Sequence, residues 1–190
     1  INFENSLYDI IELNAEGNVE FNSPEFNIKG SGENLQFEVK IEKLKVKGIN
    51  SKVVTEEIEM FSDGSIEINN LTGKFSVKGK NSKLINESVF IKGESINGIF
   101  SNNNGKKEIT FLNVVDENIS YVKNNDTEMY AKKINFDNEI SIIELVDSVT
   151  IIRNEEKITG DYGTLDTNNN SYKIKSNNQN KVKVIIQDDE

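Results

Sequence analysis

The chain has no cysteine, no histidine and no tryptophan, and one proline, Pro24. Each absence closes a class of chemistry. Without cysteine there is no disulfide framework and no thiol nucleophile, and compartment cannot be read from cysteine usage. Without histidine as well, the usual nucleophilic triads are excluded, as is a metal site built on nitrogen or sulfur ligands. A pair of carboxylates is enough for a glycosidase, but carbohydrate clefts usually offer aromatic platforms headed by tryptophan. The chain therefore reads as a binding or structural protein, not an enzyme, with no cofactor and no metal. Long apolar runs are missing too: nothing approaches the roughly 18–20 residues that span a bilayer as a helix. Excess positive charge is missing as well. The formal net charge is −10, which argues against nucleic acid and against a polybasic membrane anchor. The chain begins at Ile1, not Met, which reads as a processed product from which a signal or anchor segment has been removed.

What the chain does have is alternation. Ile66-Glu67-Ile68, Phe75-Ser76-Val77-Lys78, Ile109-Thr110-Phe111 and Val182-Lys183-Val184 repeat with a period of two, the signature of half-buried strands. Polar clusters rich in Asn, Asp and Gly separate them, as at Ser62-Asp63-Gly64-Ser65 and Lys123–Asp126. Such residues tolerate the positive φ of tight hairpin turns. Val53–Met60 is the nearest approach to a helix, and a strand or a single turn explains it equally well. Short strands with a turn about every ten residues predict an all-β, antiparallel fold of repeated short hairpins. Hydrophobic residues make up 35 % of the chain, lean enough to favour an elongated shape. No Pro-, Gly- or Ser-rich linker divides residues 1–190, so they form one domain, with Ser101–Lys107 a long hairpin turn.

A weak internal repeat runs through the strands. A small residue ends a strand, and four residues separate it from a large apolar one: Gly30 and Leu35, Gly79 and Leu84, Ala131 and Phe136, Gly160 and Leu165. A small residue at one height in each unit predicts a bend or bulge there. Successive intervals between the four small residues are 49, 52 and 29. A β-solenoid or adhesin-like surface protein with a structural role is the alternative architecture, but a solenoid repeats at fixed length. Alternation places Phe21, Phe26, Ile28, Leu35, Phe37, Val77, Leu84, Phe90, Ile134, Phe136, Ile151, Ile158, Leu165 and Ile174 on inward faces. In sequence, a closed core and an apolar groove look the same. Asp166–Asn170 has the start of a calcium loop, but Ser171 stands where the glycine belongs, so it reads as a turn. Glu56, Glu57 and Glu59 read as a solvated face.

Over Tyr130–Ile186, Ala131 with Phe136-Asp137 is followed by Asp147-Ser148-Val149 and then by Ile158-Thr159-Gly160 with Leu165-Asp166. Near the start, Gly17-Asn18-Val19, Ile28-Lys29-Gly30 and Leu35 repeat the arrangement. This order of elements resembles the repeat of the OstA-like family, the periplasmic lipopolysaccharide-transport proteins LptA and LptC. The likeness is good over about the last 60 residues, fair over the first 50 and poor between them. It departs from the family at Asp147-Ser148-Val149, which lacks the glycine, so the turn there is expected to be built differently. The resemblance implies a twisted, V-shaped antiparallel β-jellyroll, open along one side, whose inward residues hold lipopolysaccharide acyl chains. It implies edge-to-edge docking with other β-jellyroll transport proteins or with itself, for which Val182, Val184 and Ile186 form the candidate strand. It also implies a periplasmic location. The reading favours an LptC-like member, anchored to the inner membrane through a segment outside this chain and meeting an inner-membrane transporter. Because lipopolysaccharide head groups are anionic, a chain of −10 should leave them in solvent. Lys132, Lys133 and Arg153 are the cations considered for the opening.

Overall fold

The computed structural model describes residues 2–3, 10–103, 106–154, 156–169, 171–177 and 181–186. The acidic tail, residues 187–190, lies outside them. The alternating segments form strands β1 (Asn2–Phe3), β2 (Ile10–Ser23), β3 (Ile28–Glu38), β4 (Lys43–Lys47), β5 (Ser51–Val54) and β6 (Glu59–Ser62). They continue as β7 (Ser65–Asn69), β8 (Lys74–Lys78), β9 (Lys83–Ile85), β10 (Val89–Lys92), β11 (Ser95–Asn103) and β12 (Lys106–Asn124). The last are β13 (Thr127–Asp137), β14 (Ile142–Arg153), β15 (Glu156–Asp166), β16 (Ser171–Lys175) and β17 (Lys183–Ile186). Val53–Met60 is thus the β5–β6 hairpin. One 3-10 turn, Val39–Ile41, is the only helical element among the described residues. The 17 strands form one sheet, and every pairing in it is antiparallel, from β2–β3 to β15–β17. A solenoid of parallel rungs is thereby excluded.

The sheet is an antiparallel β-jellyroll folded along a crease. Long strands change partners halfway. β3 pairs with β4 over residues 34–38 and with β5 over 29–31. β12 pairs with β11 over 106–115 and with β10 over 121–124. Between the halves the register slips, at Glu16/Val19, Val115/Ser120, Tyr130/Lys133 and Val146/Val149. The short strands turn at that same height. One leaf therefore holds β4, β7, β8, β11 and β16, the other β5, β6, β9, β10 and β17, and the halves of the long strands join both.

The chemistry of the crease follows from its broken ladders. Gly48-Ile49-Asn50-Ser51 and Gly79-Lys80-Asn81-Ser82 are two copies of one turn. The glycines have φ of 124° and 128°, the asparagines 58° and 61°. In each, the serine hydroxyl donates to the glycine carbonyl, at 2.8 and 2.7 Å. Ser62 donates to the Lys78 carbonyl at 2.5 Å, and Ser120 to the Lys132 carbonyl at 3.2 Å. All four serines are buried. Their hydroxyls add hydrogen bonds to carbonyls where the ladder is broken; the Gly48 and Gly79 carbonyls accept in addition the Ser51 and Ser82 N–H groups, at 3.4 and 3.3 Å. In the long strands the bend is made by consecutive left-handed residues: Gly17 and Asn18 (φ 79° and 50°), and Asp147 and Ser148 (φ 65° and 58°). This corrects the expectation for Asp147-Ser148: without glycine, the same bend forms, because Asp and Ser are short and polar enough to adopt it. Of the four small residues read as bends, Gly79, Ala131 and Gly160 sit beside the crease. Gly30 does not. It lies within a leaf, opposite Phe21 and Val53, and Gly32 stands nearer the crease.

Inward side chains from both leaves form one core cluster. Burying each Val, Leu, Ile or Met is worth about 1.5–3 kcal/mol, so period-2 strands hold the leaves together despite the lean composition. A Cβ at Gly79 would lie 2.7 Å from the Gly64 backbone nitrogen, whereas one at Gly17 meets nothing within 4 Å. Gly79→Ala should therefore cost about 2–4 kcal/mol in urea unfolding, and Gly17→Ala about 1 kcal/mol, the cost of its φ alone. Equal losses would contradict this account of the crease.

Candidate functional site

Burial falls away from the crease. Beside it, Val46, Ile66, Val77, Ile96, Val114 and Leu145 are 0 % exposed, while Leu44, Ile68, Phe75, Leu112, Ile143 and Leu165, one step outward, are 4–7 % exposed. Phe26, Phe37, Phe100, Ile109 and Phe136 are only partly buried against the core. On the leaf that holds β4, β7, β8, β11 and β16 the interior is closed at the fold and looser on the opposite side; on the other leaf Ile58, Met129 and Ile151 stay buried away from the crease.

An apolar cavity of about 230 Å³ opens on that looser side at the β2–β3 end. Leu13, Leu35, Phe37, Leu44 and Ile68 line it from one leaf, and Phe21 and Ile28 from the other, with Phe26 on the intervening turn. Local sequence explains the space. Pairing sets Leu13 against Phe37, small Ala15 against Leu35, and Phe21 against Gly30. A Cβ at Gly30 would come 2.7 Å from the Phe21 ring, so glycine lets the ring lie flat over the strand. Phe26 and Phe37 pack tilted, with centroids 5.8 Å apart. Glu42 and Asn70 stand with Asn22 and Ser23 among the polar lining residues.

A second cavity, about 200 Å³, is more polar and lies toward the other end, between Asn124–Thr127, Met129 and Arg153 on one leaf and Leu165 and Thr167 on the other. Nearby, the Tyr172 hydroxyl donates to Glu156 Oε2 at 2.7 Å. Tyr172 belongs to β16 and Glu156 to the part of β15 that pairs with β17, so this bond ties the two leaves. The bond to Glu156, with desolvation behind it, raises the Tyr172 pKa.

The inward residues inferred from sequence separate into three groups. Phe21, Phe26, Ile28, Leu35 and Phe37 line the apolar cavity. Val77, Leu84, Ile134 and Ile151 are sealed in the core, at 0–1 % exposure, and Ile158 is buried too. Leu165 lines the second cavity, and Phe136 and Ile174 pack partly buried on the core. Phe90 is a correction. Its neighbours Val89 and Ile91 pack inward, so Phe90 faces out, where its ring lies 5.7 Å from that of Tyr121. A three-residue apolar run, Val89-Phe90-Ile91, hides the phase of the alternation. Leu13, Leu44 and Ile68 were missed as lining residues, although Leu44-Lys45-Val46 and Ile66-Glu67-Ile68 alternate clearly. Of the cations considered for the opening, Lys132 pairs with Asp147 at the crease at 3.1 Å and Lys133 faces outward beside Val115; Arg153 alone lines a cavity. Val184 and Ile186 lie in β17, which among the described residues pairs with β15 only, and Val182 precedes it; Val184, Ile186 and Val182 are 56 %, 64 % and 42 % exposed. Among the described residues no group of three or more carboxylates could hold a metal, Asp166 caps a turn through the Asn168 and Asn169 N–H groups, and no helix is long and apolar enough to cross a membrane.

Comparison with known proteins finds no matching family model and no matching curated sequence. Among solved structures, the chain is similar to LptH from Pseudomonas aeruginosa, the LptA-homologous periplasmic component of the lipopolysaccharide transport device. The two share 14 % identity and superpose with a TM-score of 0.55, over 69 % of this chain and 95 % of that one. The likeness is one of fold.

The Tyr172–Glu156 tie has a pH signature. A tyrosine whose folded pKa is raised stabilises fully below its unfolded pKa of about 10, and that contribution is lost as pH rises through the folded value. Tyr172→Phe should cost about 1 kcal/mol at pH 7 in urea unfolding and should flatten the loss of stability above pH 10. An unchanged alkaline slope would show that the tie is not formed.

Proposed function

We propose that this protein is an LptA-like component of periplasmic lipopolysaccharide transport, holding acyl chains between its leaves. The observation that carries the reading is the apolar cavity opposite the crease, lined by Leu13, Phe21, Phe26, Ile28, Leu35, Phe37, Leu44 and Ile68, in a jellyroll that shares its fold with LptH. An aliphatic chain needs contact area and no hydrogen-bond readout, and each methylene transferred from water contributes about 0.8 kcal/mol. With a net charge of −10, the protein holds the chains and leaves anionic phosphates and sugars to solvent. The cavity is smaller than the roughly 300–1,000 Å³ of usual ligand pockets. It admits part of one chain as it stands, and a multiply acylated lipid requires the leaves to part further, with the sealed residues Val77, Leu84, Ile134 and Ile151 lying deeper along the same groove. Phe136, Ile158, Leu165 and Ile174 would continue it toward β16 and β17.

Among the described residues β2 pairs with β3 and, only at Ile10–Glu12, with β1, while β16 and β17 pair with β15 alone, so the rest of the β2 edge and the β16 and β17 edges are available to a further strand. Val182, Val184 and Ile186 form the docking strand of the proposal, joining a second copy or another jellyroll of the transport device by β-augmentation. The description of LptH as an LptA homologue supports the bridging reading. An LptC-like, inner-membrane-anchored member that meets the transporter is the second reading, and an uncleaved membrane helix in the unprocessed product would select it. Neither reading involves catalysis.

Photo-crosslinking amino acids at Phe26 and Phe37 should give lipopolysaccharide adducts in cells, and one at Asn97, on an outer face, should give none. Leu35→Asp places a carboxylate in the apolar cavity and should lower affinity for acylated lipid at least ten-fold with the fold retained by circular dichroism. Absence of adducts at both cavity positions, or undiminished binding by the variant, would overturn the proposal.

A further inference from the structure

The fold sorts charge in a way that the sequence conceals. On the leaf that holds β5, β6, β9, β10 and β17, the outward positions carry seven lysines and three glutamates, Glu20, Glu59 and Glu128. Two of the lysines are paired, Lys52 with Glu59 at 3.0 Å and Lys123 with Glu128 at 3.5 Å. The other five, Lys29, Lys83, Lys92, Lys157 and Lys183, have no ion pair among the described residues. On the outer face of the other leaf, lysines and carboxylates balance. The chain reaches −10 because carboxylates gather at the crease, as at Asp63, and in the hairpin turns that rim this leaf, at Glu25, Glu56, Glu57, Glu87 and Asp126. Net charge averages over this segregation.

Aromatic and aliphatic side chains lie between the lysines. Phe90, Tyr121 and Tyr130 form a contiguous outward cluster, with centroids 5.7 and 4.8 Å apart. Lys52 sits 4.8 Å above the Phe61 ring. Val54, Ile85 and Ile152 stand in the same rows.

We infer that this face docks on an anionic lipid bilayer surface. The lysines run from β3 to β17 at about 4.8 Å per strand, so they cover an area and do not converge on a pocket. They are all lysine. The chain's one arginine, Arg153, lies on the cavity side. Lysine is a flexible point charge without the fork that reads one phosphate bidentately, which suits a diffuse negative surface. Its alkyl stem, with the tyrosine and phenylalanine rings, suits the boundary between head groups and acyl chains. At physiological ionic strength the screening length is about 8 Å, so carboxylates on the far leaf contribute little to the potential at this face, while those in its own hairpin turns act at its rim and leave the positive potential to the middle of the sheet, where Lys92, Lys123, Lys157 and Lys183 stand. Docking here leaves the crease, the cavities and the strand edges uncovered, and does not depend on acyl-chain capture.

The test is flotation of the full chain with phosphatidylglycerol–phosphatidylcholine vesicles and with phosphatidylcholine vesicles alone. The wild type should bind the anionic vesicles at 0.05 M salt, release at 0.5 M, and ignore the neutral ones. Lys92→Glu with Lys157→Glu should weaken binding by about thirty-fold or more. Lys78→Glu with Lys173→Glu, an equal change of net charge on the other leaf, should shift it less than three-fold, and Leu35→Asp should leave it unchanged. Thermal melts of each variant confirm folding. Equal binding to neutral vesicles, no binding at low salt, equal losses from the two double variants, or preference for single-stranded DNA over anionic vesicles in competition would each overturn the inference.

Discussion

Everything in this molecule depends on strands being made to bend at one height. A β-ladder is cooperative along its length, and a buried break leaves N–H and C=O groups without partners. The crease solves this with three devices: glycines at positive φ in the short turns, paired left-handed residues in the long strands, and buried serine hydroxyls that donate to the freed carbonyls. With the bend in place, one continuous sheet becomes two facing leaves, and its inward residues become a core. Without it, the same alternation would give a flat sheet with an uncovered apolar face, prone to edge and face association.

The bend also decides where the interior is tight. Near the crease the backbones converge and Val46, Ile66 and Val77 are wholly buried. Away from it, space between the leaves must be filled by larger side chains, which accounts for the partly buried phenylalanines on that side. At the β2–β3 end, Ala15 and Gly30 supply too little volume, and a cavity results. Function, on this account, is a consequence of packing that is left incomplete along one side.

Much of this was legible in the sequence. Period-2 alternation specified antiparallel strands, and three of the four recurrent small residues, Gly79, Ala131 and Gly160, marked the bend, whereas Gly30 lies within a leaf. Five of the cavity residues followed from alternation alone. What escaped has physical reasons. The serines of the crease form the repeated Gly-x-Asn-Ser of residues 48–51 and 79–82, a signal present in the sequence but carried by residues that read as ordinary turn formers. Asp147-Ser148 adopts a bend for which glycine is the usual marker, because φ depends on the whole strand and not on one residue's preference. Phe90 was placed inward because an apolar residue between two others gives no phase. The lysine-rich face could not be read at all, since residues as distant as Lys29 and Lys157 share it only once the strands are paired.

The central claim is that the leaves meet firmly at the crease and part on the opposite side to admit acyl chains. Because the chain has no cysteine, spin labels can be placed in pairs without background. The most direct measurement is the electron–electron distance between labels at Ser23 and Asn70, which line the cavity from the two leaves. The account predicts that this distance lengthens on addition of lipopolysaccharide and stays fixed with its deacylated form, while a pair flanking the crease at Lys47 and Lys52 stays fixed with both. A Ser23–Asn70 distance unchanged when acylated lipid is bound would contradict it.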